Sequence, residues 1–496
     1  MEYQSTRNKS VRVSAASAIA RGISAEGGLF VPVGLPQLTN ERLQKLAGMA
    51  YADRAANILA DFLTDFSAEE VRECVTAAYG TNFAHNKVAP VVKLGSTTRM
   101  LELWHGPTCA FKDMALQLLP HLLTRSMAKT AGGKEAAILV ATSGDTGKAA
   151  LDGFADVPGT HILVFYPHGG VSDVQYLQMA TQKGNNVDVC AVRGNFDDTQ
   201  TAVKQIFTNP EIAKKLAEKN LVFSSANSIN WGRLVPQIVY YISAYCDMLE
   251  TGDIEIGENI NVCVPTGNFG NILAAYYAKK MGLPIAKLIC ASNINKVLAD
   301  FINTGVYDRR REFVLTSSPS MDILISSNLE RLLFALCNED DKMIAELMQA
   351  LTKEGVYKIS DTMLKKLQAE FVGDFCDEEG TQSTIRETLE KYDYLCDTHT
   401  AVAVNVYNRY VERTGDTTKT VIASTANPYK FAKSILPALE DVAPDTSEFD
   451  QLRRLNERTG MAIPPQIIAL EQEKVRFERV CEREEMTAFV QEALSI

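Results

Sequence analysis

The sequence predicts an α/β fold in which mostly parallel strands form doubly wound sheets, and three observations support this prediction. The chain has 496 residues, of which 46% are hydrophobic, and this is enough for several large cores. From about residue 135, short runs rich in β-branched residues alternate with segments of helical apolar spacing, which is typical of parallel sheets. Two predicted strands lead through a glycine-containing loop directly into a helix, as at the ligand-binding edge of open α/β sheets.

The predicted elements follow one another in the alternating order of such a sheet. Strands are predicted at residues 136–142, 161–166, 187–192, 221–223, 260–264, 286–291 and 419–423. Helices are predicted between them at residues 148–154, 173–182, 199–207, 234–249, 272–281 and 431–438. This order indicates a doubly wound architecture, which we expect to divide into two smaller sheets.

Residues 1–95 differ in character from the rest of the chain. Residues 41–63 and 68–78 have a helical pattern, whereas residues 27–32, Gly-Gly-Leu-Phe-Val-Pro, indicate an extended turn. We therefore expect residues 1–95 to form an extra N-terminal domain.

The remaining chain divides into two parts. Residues 96–440 are predicted to form the main α/β region, with a smaller sub-domain at about 135–250 inserted into a larger one. Residues 441–496 are polar and helix-rich, and we expect them to form a C-terminal helical extension. No low-complexity linker separates these parts, so the sequence does not define sharp domain boundaries.

Composition excludes several classes of partner. The net charge of −11 and the pI near 5.3 argue against nucleic acid, which requires a concentrated basic face. The ten cysteines and six histidines show no metal-ligand spacing, so neither a metal site nor a disulfide scaffold is expected. The polar amino terminus and the lack of a long apolar run indicate no leader and no membrane span. We expect a soluble, cytoplasmic protein.

The segment 105–113, His-Gly-Pro-Thr-Cys-Ala-Phe-Lys-Asp, contains the lysine that we predict to carry the chemistry. Pro107 disfavours a helix before it, and the apolar spacing from Met114 to Met127 predicts one long helix after it. Lys112 would then lie at the positive end of the helix dipole. Partial burial and this dipole would favour the neutral amine, which can form an imine with an aldehyde.

Two loops share the sequence of strand, glycine loop and helix. They are residues 142–147, Thr-Ser-Gly-Asp-Thr-Gly, and residues 265–271, Pro-Thr-Gly-Asn-Phe-Gly-Asn. Amides at a helix start bind anions, so the pair indicates two anions, such as a cofactor phosphate and a substrate carboxylate. Neither loop has dinucleotide-binding or P-loop spacing. Each loop taken alone could also be an ordinary connection.

Lys112 and the two loops, in this order, resemble the fold-type-II pyridoxal-phosphate enzymes, whose fold is like that of the tryptophan synthase β chain, and specifically the threonine synthase family. The resemblance extends to residues 3–7, 26–32, 227–233, 320–323, 327–331, 397–403 and 424–428. The chain departs from the family at Asn427, where histidine is more common, and at Asn8, where glycine is. The ordered set of motifs covers residues 3 to about 433.

The resemblance implies a cofactor site for pyridoxal 5'-phosphate. Lys112 would hold the cofactor covalently, and Thr425 would hydrogen-bond the pyridine nitrogen. The 5'-phosphate would be held by Gly267, Asn268, Phe269 and Asn271.

The resemblance also implies a substrate site for O-phospho-L-homoserine. Its α-carboxylate would bind at Ser143, Gly144, Asp145 and Thr146, with the Asp145 carboxylate turned to another donor. Its phosphate would bind at Ser228, Asn230 and Arg233, a set that combines a bidentate cation with neutral donors. Without the motif, an arginine at a helix start is more often exposed or ion-paired. His399 is interpreted as a structural residue at a helix start capped by Asp397 or Thr398.

The implied activity is the conversion of O-phospho-L-homoserine and water to L-threonine and phosphate, the last step of threonine biosynthesis, by a monomer or homodimer. Three alternatives remain open at this point. The chain could be a serine or threonine dehydratase or β-replacement enzyme of the same fold, or a phospho-lyase that forms 2-oxobutyrate from phosphohomoserine. It could also be a non-catalytic protein on the same scaffold.

Overall fold

The computed structural model describes residues 1–194 and 196–496. These residues contain sixteen strands, which are, in chain order, Tyr3–Ser5 (β1), Asn8–Val13 (β2), Phe30–Pro32 (β3), Val91–Lys93 (β4), Thr98–Glu102 (β5), Glu135–Ala141 (β6), Thr160–Pro167 (β7), Val187–Val192 (β8), Leu221–Ser224 (β9), Ile260–Pro265 (β10), Ile285–Ser292 (β11), Val306–Asp308 (β12), Val356–Lys358 (β13), Phe371–Phe375 (β14), Thr420–Ser424 (β15) and Val480–Cys481 (β16).

The α-helices of the same residues are Ala15–Arg21 (α1), Asn40–Ala47 (α2), Tyr51–Phe62 (α3), Ala68–Tyr79 (α4), Asp113–Leu116 (α5), Leu119–Thr130 (α6), Asp145–Phe154 (α7), Asp173–Ala180 (α8), Phe196–Phe207 (α9), Pro210–Glu218 (α10), Trp231–Glu250 (α11), Gly270–Met281 (α12), Val297–Thr304 (α13), Leu329–Leu336 (α14), Asp341–Lys353 (α15), Asp361–Glu370 (α16), Glu378–Tyr392 (α17), Thr398–Thr414 (α18), Ala432–Leu439 (α19), Glu448–Thr459 (α20), Pro465–Ile468 (α21) and Met486–Ala493 (α22). Short 3-10 turns occur at Pro319–Met321, Pro428–Phe431, Ala469–Gln472 and Arg483–Glu485.

Two large sheets organise the fold. One has six strands in the order β14-β11-β10-β15-β5-β4, and all are parallel except β4, which pairs antiparallel with β5. The other has five parallel strands in the order β16-β8-β7-β6-β9. Helices cover their faces, so central strands such as β10 are buried at every residue. This confirms the predicted doubly wound α/β fold, and the seven predicted strands are present with bounds within one residue.

The sequence patterns missed strands whose side chains are not uniformly apolar. Strand β5 contains Arg99, whose side chain is buried because it forms an ion pair with Asp253. A charged residue in a short run hides the pattern of a buried strand, since lone charges are rarely buried. Strand β14 was also missed, and its Asp374 contacts Arg409 and Arg413.

The amino-terminal part packs against the main α/β region. Strands β1, β2 and β3 form an antiparallel sheet, and the rings of Tyr3 and Phe62 contact Trp231 at centroid distances of 5.3 and 5.9 Å. The helical pattern at 41–63 corresponds to two helices, α2 and α3, which are separated by residues 48–50. The domain limits drawn from the sequence stay predictions.

The prediction of a single long helix after Lys112 is wrong. The structure has the four-residue helix α5 and then α6, which has Pro120 in its first turn. A proline inside one continuous helix would lack the N–H group needed there and would clash with the carbonyl four residues earlier. Pro120 therefore begins a new helix instead of continuing the first.

The last fifty-odd residues combine helices with one strand. Strand β16 pairs in parallel with β8 and extends the five-stranded sheet. Helix α22 covers that sheet, and the Phe489 ring packs edge-on against Phe165 at 5.5 Å. Within residues 1–194 and 196–496, no helix has both the length and the apolarity to cross a bilayer.

Phe489 therefore anchors α22 to the five-stranded sheet. We expect Phe489→Ala to lower the free energy of unfolding by about 3 kcal/mol, because the change leaves a cavity between the helix and the sheet. Phe313→Ala is the matched control, since Phe313 is 44% exposed and its loss should cost less than about 0.5 kcal/mol. Urea unfolding of both variants checks this, and equal losses would contradict it.

Candidate active site

Three adjacent parallel strands deliver three of the predicted segments to one edge of the six-stranded sheet. Strand β15 lies between β10 and β5. Thr425 follows β15, the loop 267–271 follows β10, and the segment containing Lys112 follows β5. The Phe111 amide donates to the Thr425 carbonyl at 2.8 Å, so Lys112 and Thr425 are neighbours. Carboxyl ends of parallel strands are the usual ligand-binding edge of such sheets.

The five-stranded sheet delivers the other two segments. The loop 143–146 follows β6, and the residues from Ser228 to Arg233 follow its neighbour β9. The Lys112 amine donates to the Asp145 carboxylate at 3.1 Å. The carboxyl edges of the two sheets therefore face each other, and the site lies between them.

Local hydrogen bonds shape the segment before Lys112. The amide and hydroxyl of Thr108 donate to the Asp113 carboxylate at 2.9 and 2.6 Å. Gly106 packs against the same carboxylate, and a Cβ there would lie 2.5 Å from its atoms. Burial raises the pKa of Asp113 to about 7. Asp113 thus closes the turn that presents Lys112.

Lys112 is buried between the two sheets. Its amine donates to Asp145 and, at 2.9 Å, to the Ser320 hydroxyl. Burial lowers the pKa of Lys112, the nearby Asp145 opposes this shift, and the positive charges of Lys430 and Arg233 add to it. The predicted direction and the predicted contribution of burial are right, whereas the predicted contribution of the helix dipole is wrong. Helix α5 is too short to provide a substantial dipole, so burial and neighbouring cations account for the shift.

The loop 267–271 is suited to an anion with several oxygens. Phe269 has a positive φ of 64° directly before helix α12, an arrangement that makes successive amides converge. Within the described residues, the amides of Asn268, Phe269, Gly270 and Asn271 have no acceptor. The Asn271 side-chain nitrogen is buried and equally unpartnered there. A Cβ at Gly267 would lie 2.5 Å from the Ser320 carbonyl oxygen.

The loop 143–146 is held open by Thr142. The Thr142 hydroxyl accepts the amides of Gly144 and Gly147 at 3.0 and 2.9 Å, and Gly144 has φ of 136°, which favours glycine. In the described chain, the amides of Ser143, Asp145 and Thr146 have no acceptor. These amides and the hydroxyls of Ser143 and Thr146 are suitable donors for a carboxylate.

The Asp145 side chain is already engaged by cations. It contacts Lys112 and, at 3.1 Å, the amine of Lys430, and it accepts from the Gln175 amide at 3.1 Å. Burial alone would raise the pKa of Asp145, but the two lysines hold it well below its ordinary value. This agrees with the expectation that its carboxylate turns to other donors rather than to a substrate anion.

Arg233 is a buried cation without a carboxylate partner among the described residues. It lies in the first turn of α11 and is 4% exposed. One terminal nitrogen donates to the Ala226 carbonyl at 2.9 Å, while Nε has no partner there. Burial lowers the pKa of Arg233 to about 10. A buried charge is normally paired, so the arrangement favours a bound anion.

Ser228 lies beside two residues for which the sequence predicted no role. Its hydroxyl is 3.5 Å from that of Ser327 and accepts from the Asn328 amide at 3.4 Å. Asn328 also donates to the Asn268 carbonyl, and Ser327 donates to the Asn268 side chain. These contacts link the loop 267–271 to the segment that contains Arg233.

Asn230 does not fit the substrate role predicted for it. It is the N-cap of α11, and its oxygen accepts the Gly232 amide at 2.8 Å. Its two hydrogens go to the carbonyls of Ile19 and Ser225 at 3.0 and 2.9 Å. No hydrogen is left for a ligand, so Asn230 is a structural residue.

Thr425, Ser320 and His399 complete the surroundings of Lys112. Thr425 is 5% exposed, and its hydroxyl has no partner within the described residues. The Ser320 amide donates to His399 Nε2 at 3.2 Å, while His399 Nδ1 lies 2.8 Å from Asp397, the N-cap of α18. His399 thus has the structural position expected. Sequence reasoning assigned no role to Ser320, Gln175 or Lys430, although Ser320 lies in a motif that supported the resemblance.

Comparison with known proteins identifies relatives along most of the chain. Family models match residues 2–79 (threonine synthase N terminus), 99–425 (pyridoxal-phosphate dependent enzyme) and 400–490 (threonine synthase, C-terminal). Threonine synthase of Pseudomonas aeruginosa is 38% identical over 436 residues, covering 88% of this chain and 90% of that protein. A crystal structure of PLP-bound threonine synthase from Brucella melitensis superposes with a TM-score of 0.88 at 36% identity, covering 100% of both chains.

A further relative is longer than this chain. Threonine synthase-like 1 of Homo sapiens is 42% identical over 479 residues, which cover 94% of this chain. The chain spans 63% of the length of that relative.

The capping role of Asn230 can be tested directly. We expect Asn230→Ala to lower the free energy of unfolding by about 2 kcal/mol, since three buried side-chain hydrogen bonds are lost, one of which caps α11. Asn227→Ala is the matched control, because the Asn227 side chain is exposed and its loss should change stability by less than about 0.5 kcal/mol. Equal stability of the two variants in urea unfolding would show that Asn230 is not a structural cap.

Proposed function

Since the chain belongs to the threonine synthase family of pyridoxal-phosphate-dependent enzymes, we propose that it converts O-phospho-L-homoserine and water to L-threonine and phosphate. The observation that carries this proposal is the buried Arg233, which lacks a carboxylate partner among the described residues and acts electrostatically on Lys112. A phosphorylated substrate would supply the missing anion beside Arg233.

The residues present fit the cofactor. Lys112 would hold pyridoxal 5'-phosphate, the amides of the loop 267–271 would bind its phosphate, and the Thr425 hydroxyl would meet its ring nitrogen. The unpartnered Asn271 side-chain nitrogen adds a donor beside those amides. When bound, this group supplies an electron sink for the pair released at the substrate Cα.

Two anion sites would fix the substrate between the sheets. The free amides and hydroxyls of Ser143 and Thr146 would bind the α-carboxylate, and Arg233 with Ser228 would bind the phosphate. Holding both ends of a short, flexible substrate aligns its Cα with Lys112 and removes the entropy cost of alignment from the reaction step. Arg233 would also stabilise the negative charge that grows on phosphate as it leaves Cγ.

Lys112 would move the protons. Its amine, which is freed when the substrate amine takes its place and which has a lowered pKa, would remove the Cα proton. A second proton would leave Cβ as the C–O bond at Cγ breaks and phosphate departs. Return of a proton to Cγ, addition of water at Cβ and return of a proton to Cα complete threonine. The Ser320 hydroxyl can donate to the neutral amine between these steps.

Two alternative activities of the same fold would differ in their products or in their substrate. A phospho-lyase would release 2-oxobutyrate instead of adding water at Cβ, whereas a dehydratase or β-replacement enzyme would not need Arg233. Incubation of the purified protein with pyridoxal 5'-phosphate and O-phospho-L-homoserine, followed by amino-acid, keto-acid and phosphate analysis, tests the proposal. Threonine and phosphate in equal amounts support it, and phosphate with only 2-oxobutyrate refutes it. A cytoplasmic location and a monomeric or homodimeric state stay predictions.

Lys112→Ala should abolish both cofactor attachment and turnover. Borohydride reduction of the loaded protein should link the cofactor to the peptide that contains position 112, and the alanine variant should give no such product, because no amine is left to form the imine. Mass spectrometry of the digested protein makes the measurement. A label on another lysine would refute the assignment of Lys112.

Arg233→Gln should lower kcat/KM for O-phospho-L-homoserine about a hundredfold, because a charge-assisted contact to phosphate is lost. Cofactor attachment at Lys112 should persist, which separates loss of the substrate site from loss of the fold. Arg72→Gln is the control, since Arg72 lies on the exposed face of α4. An unchanged kcat/KM would remove Arg233 from the phosphate site.

A further inference from the structure

Two buried lysines share one carboxylate in this site. The amines of Lys112 and Lys430 contact different oxygens of Asp145, each at 3.1 Å. Lys430 lies in the 3-10 turn Pro428–Phe431 that follows β15, and its side chain is fully buried. Neither the sequence motifs nor the mechanism above gives Lys430 a task.

The partners of the two lysines differ in kind. Besides Asp145, Lys430 donates to the Thr108 carbonyl and to the Gln178 side-chain oxygen, both at 2.8 Å. All three partners are acceptors, so the three hydrogens of a charged ammonium are satisfied there. Lys112 has only Asp145 and the Ser320 hydroxyl, and a hydroxyl can donate to a neutral amine as well as accept from a charged one.

The charges around the two lysines determine which amine loses its proton first. The charges of Asp145, Lys430 and Arg233 act on Lys112. The other ionisable side chains that interact electrostatically with Lys430 or Asp145 are Asp113, Lys148, Cys109 and His399. Asp145 is the carboxylate that both amines contact, and one carboxylate does not fully neutralise two ammonium groups in a buried site. One amine should therefore give up its proton first, and the partners mark Lys112 as that amine.

We propose that Lys430 is a positioning residue. Its buried amine holds Asp145 and so prevents this carboxylate from serving Lys112 alone, which favours the neutral form of the Lys112 amine. This inference rests on the proposed function in one respect, that Lys112 is the reacting amine. Asp145 keeps a cation and the Gln175 amide when Lys112 moves away. The loop 143–146 therefore keeps its shape while Lys112 exchanges partners.

Competitive acetylation of the cofactor-free protein with acetic anhydride tests the inference. The extent of acetylation at position 112 is measured by mass spectrometry from neutral to alkaline pH. In Lys430→Met, the pH of half-maximal reaction at Lys112 should rise by about one unit or more, because Asp145 then serves Lys112 alone and a like charge is lost. In Asp145→Asn the same midpoint should fall. Lys279→Met is the control for loss of a partly buried lysine paired to a glutamate, and it should leave the midpoint unchanged.

Further measurements keep the inference falsifiable if the methionine variant does not fold. Lys430→Gln retains a donor but loses the charge, and it should also raise the midpoint. In the unaltered protein, Lys112 should react at lower pH than the exposed Lys214. A folded Lys430 variant with an unchanged or lowered midpoint, or a Lys112 that reacts no earlier than Lys214, overturns the inference. No substrate is used, so failure to form threonine would refute the proposed function without bearing on these midpoints.

Discussion

The contact between Lys112 and Asp145 is the constraint around which the two sheets are arranged. It joins the carboxyl edge of the six-stranded sheet to that of the five-stranded sheet at 3.1 Å. A carboxylate and an amine that are buried together both lose their hydration, and their contact offsets this cost only when further hydrogen bonds satisfy both groups. Ser320, Gln175 and Lys430 supply those bonds. The turns that carry them are therefore fixed by the same requirement.

The cluster is also unbalanced in charge. Lys112 and Lys430 both contact one buried carboxylate, Asp145, and Arg233 acts electrostatically on Lys112. Free amides at the starts of two helices add partial positive charge on both sides. Such a site favours bound anions, and a cofactor phosphate together with a substrate that carries a carboxylate and a phosphate would supply them.

Elements set by local pattern could be predicted from the sequence, whereas long-range partners could not. The strand β10 is buried on both faces, and its apolar run is readable without any knowledge of its neighbours. Pro120 is a local signal for the start of a new helix, but the regular apolar spacing on both sides of it led to the prediction of one continuous helix. Asn230 was predicted to bind substrate because its position in a motif does not reveal that its side chain is bonded to three backbone groups. Lys430 contacts Asp145 from a distant part of the chain, and only packing reveals that contact.

The helix dipole contributes little to the lowered pKa of the Lys112 amine. A dipole acts at the first turn of a helix and adds at most about 1 kcal/mol at an exposed site, and α5 has only four residues. Burial with an incompletely shared counter-ion can shift a lysine by several pKa units. The reactive state of Lys112 therefore depends on the enclosure formed by both sheets, not on the segment that contains it. In a short peptide with the same motif, the lysine would therefore have the pKa of an exposed lysine.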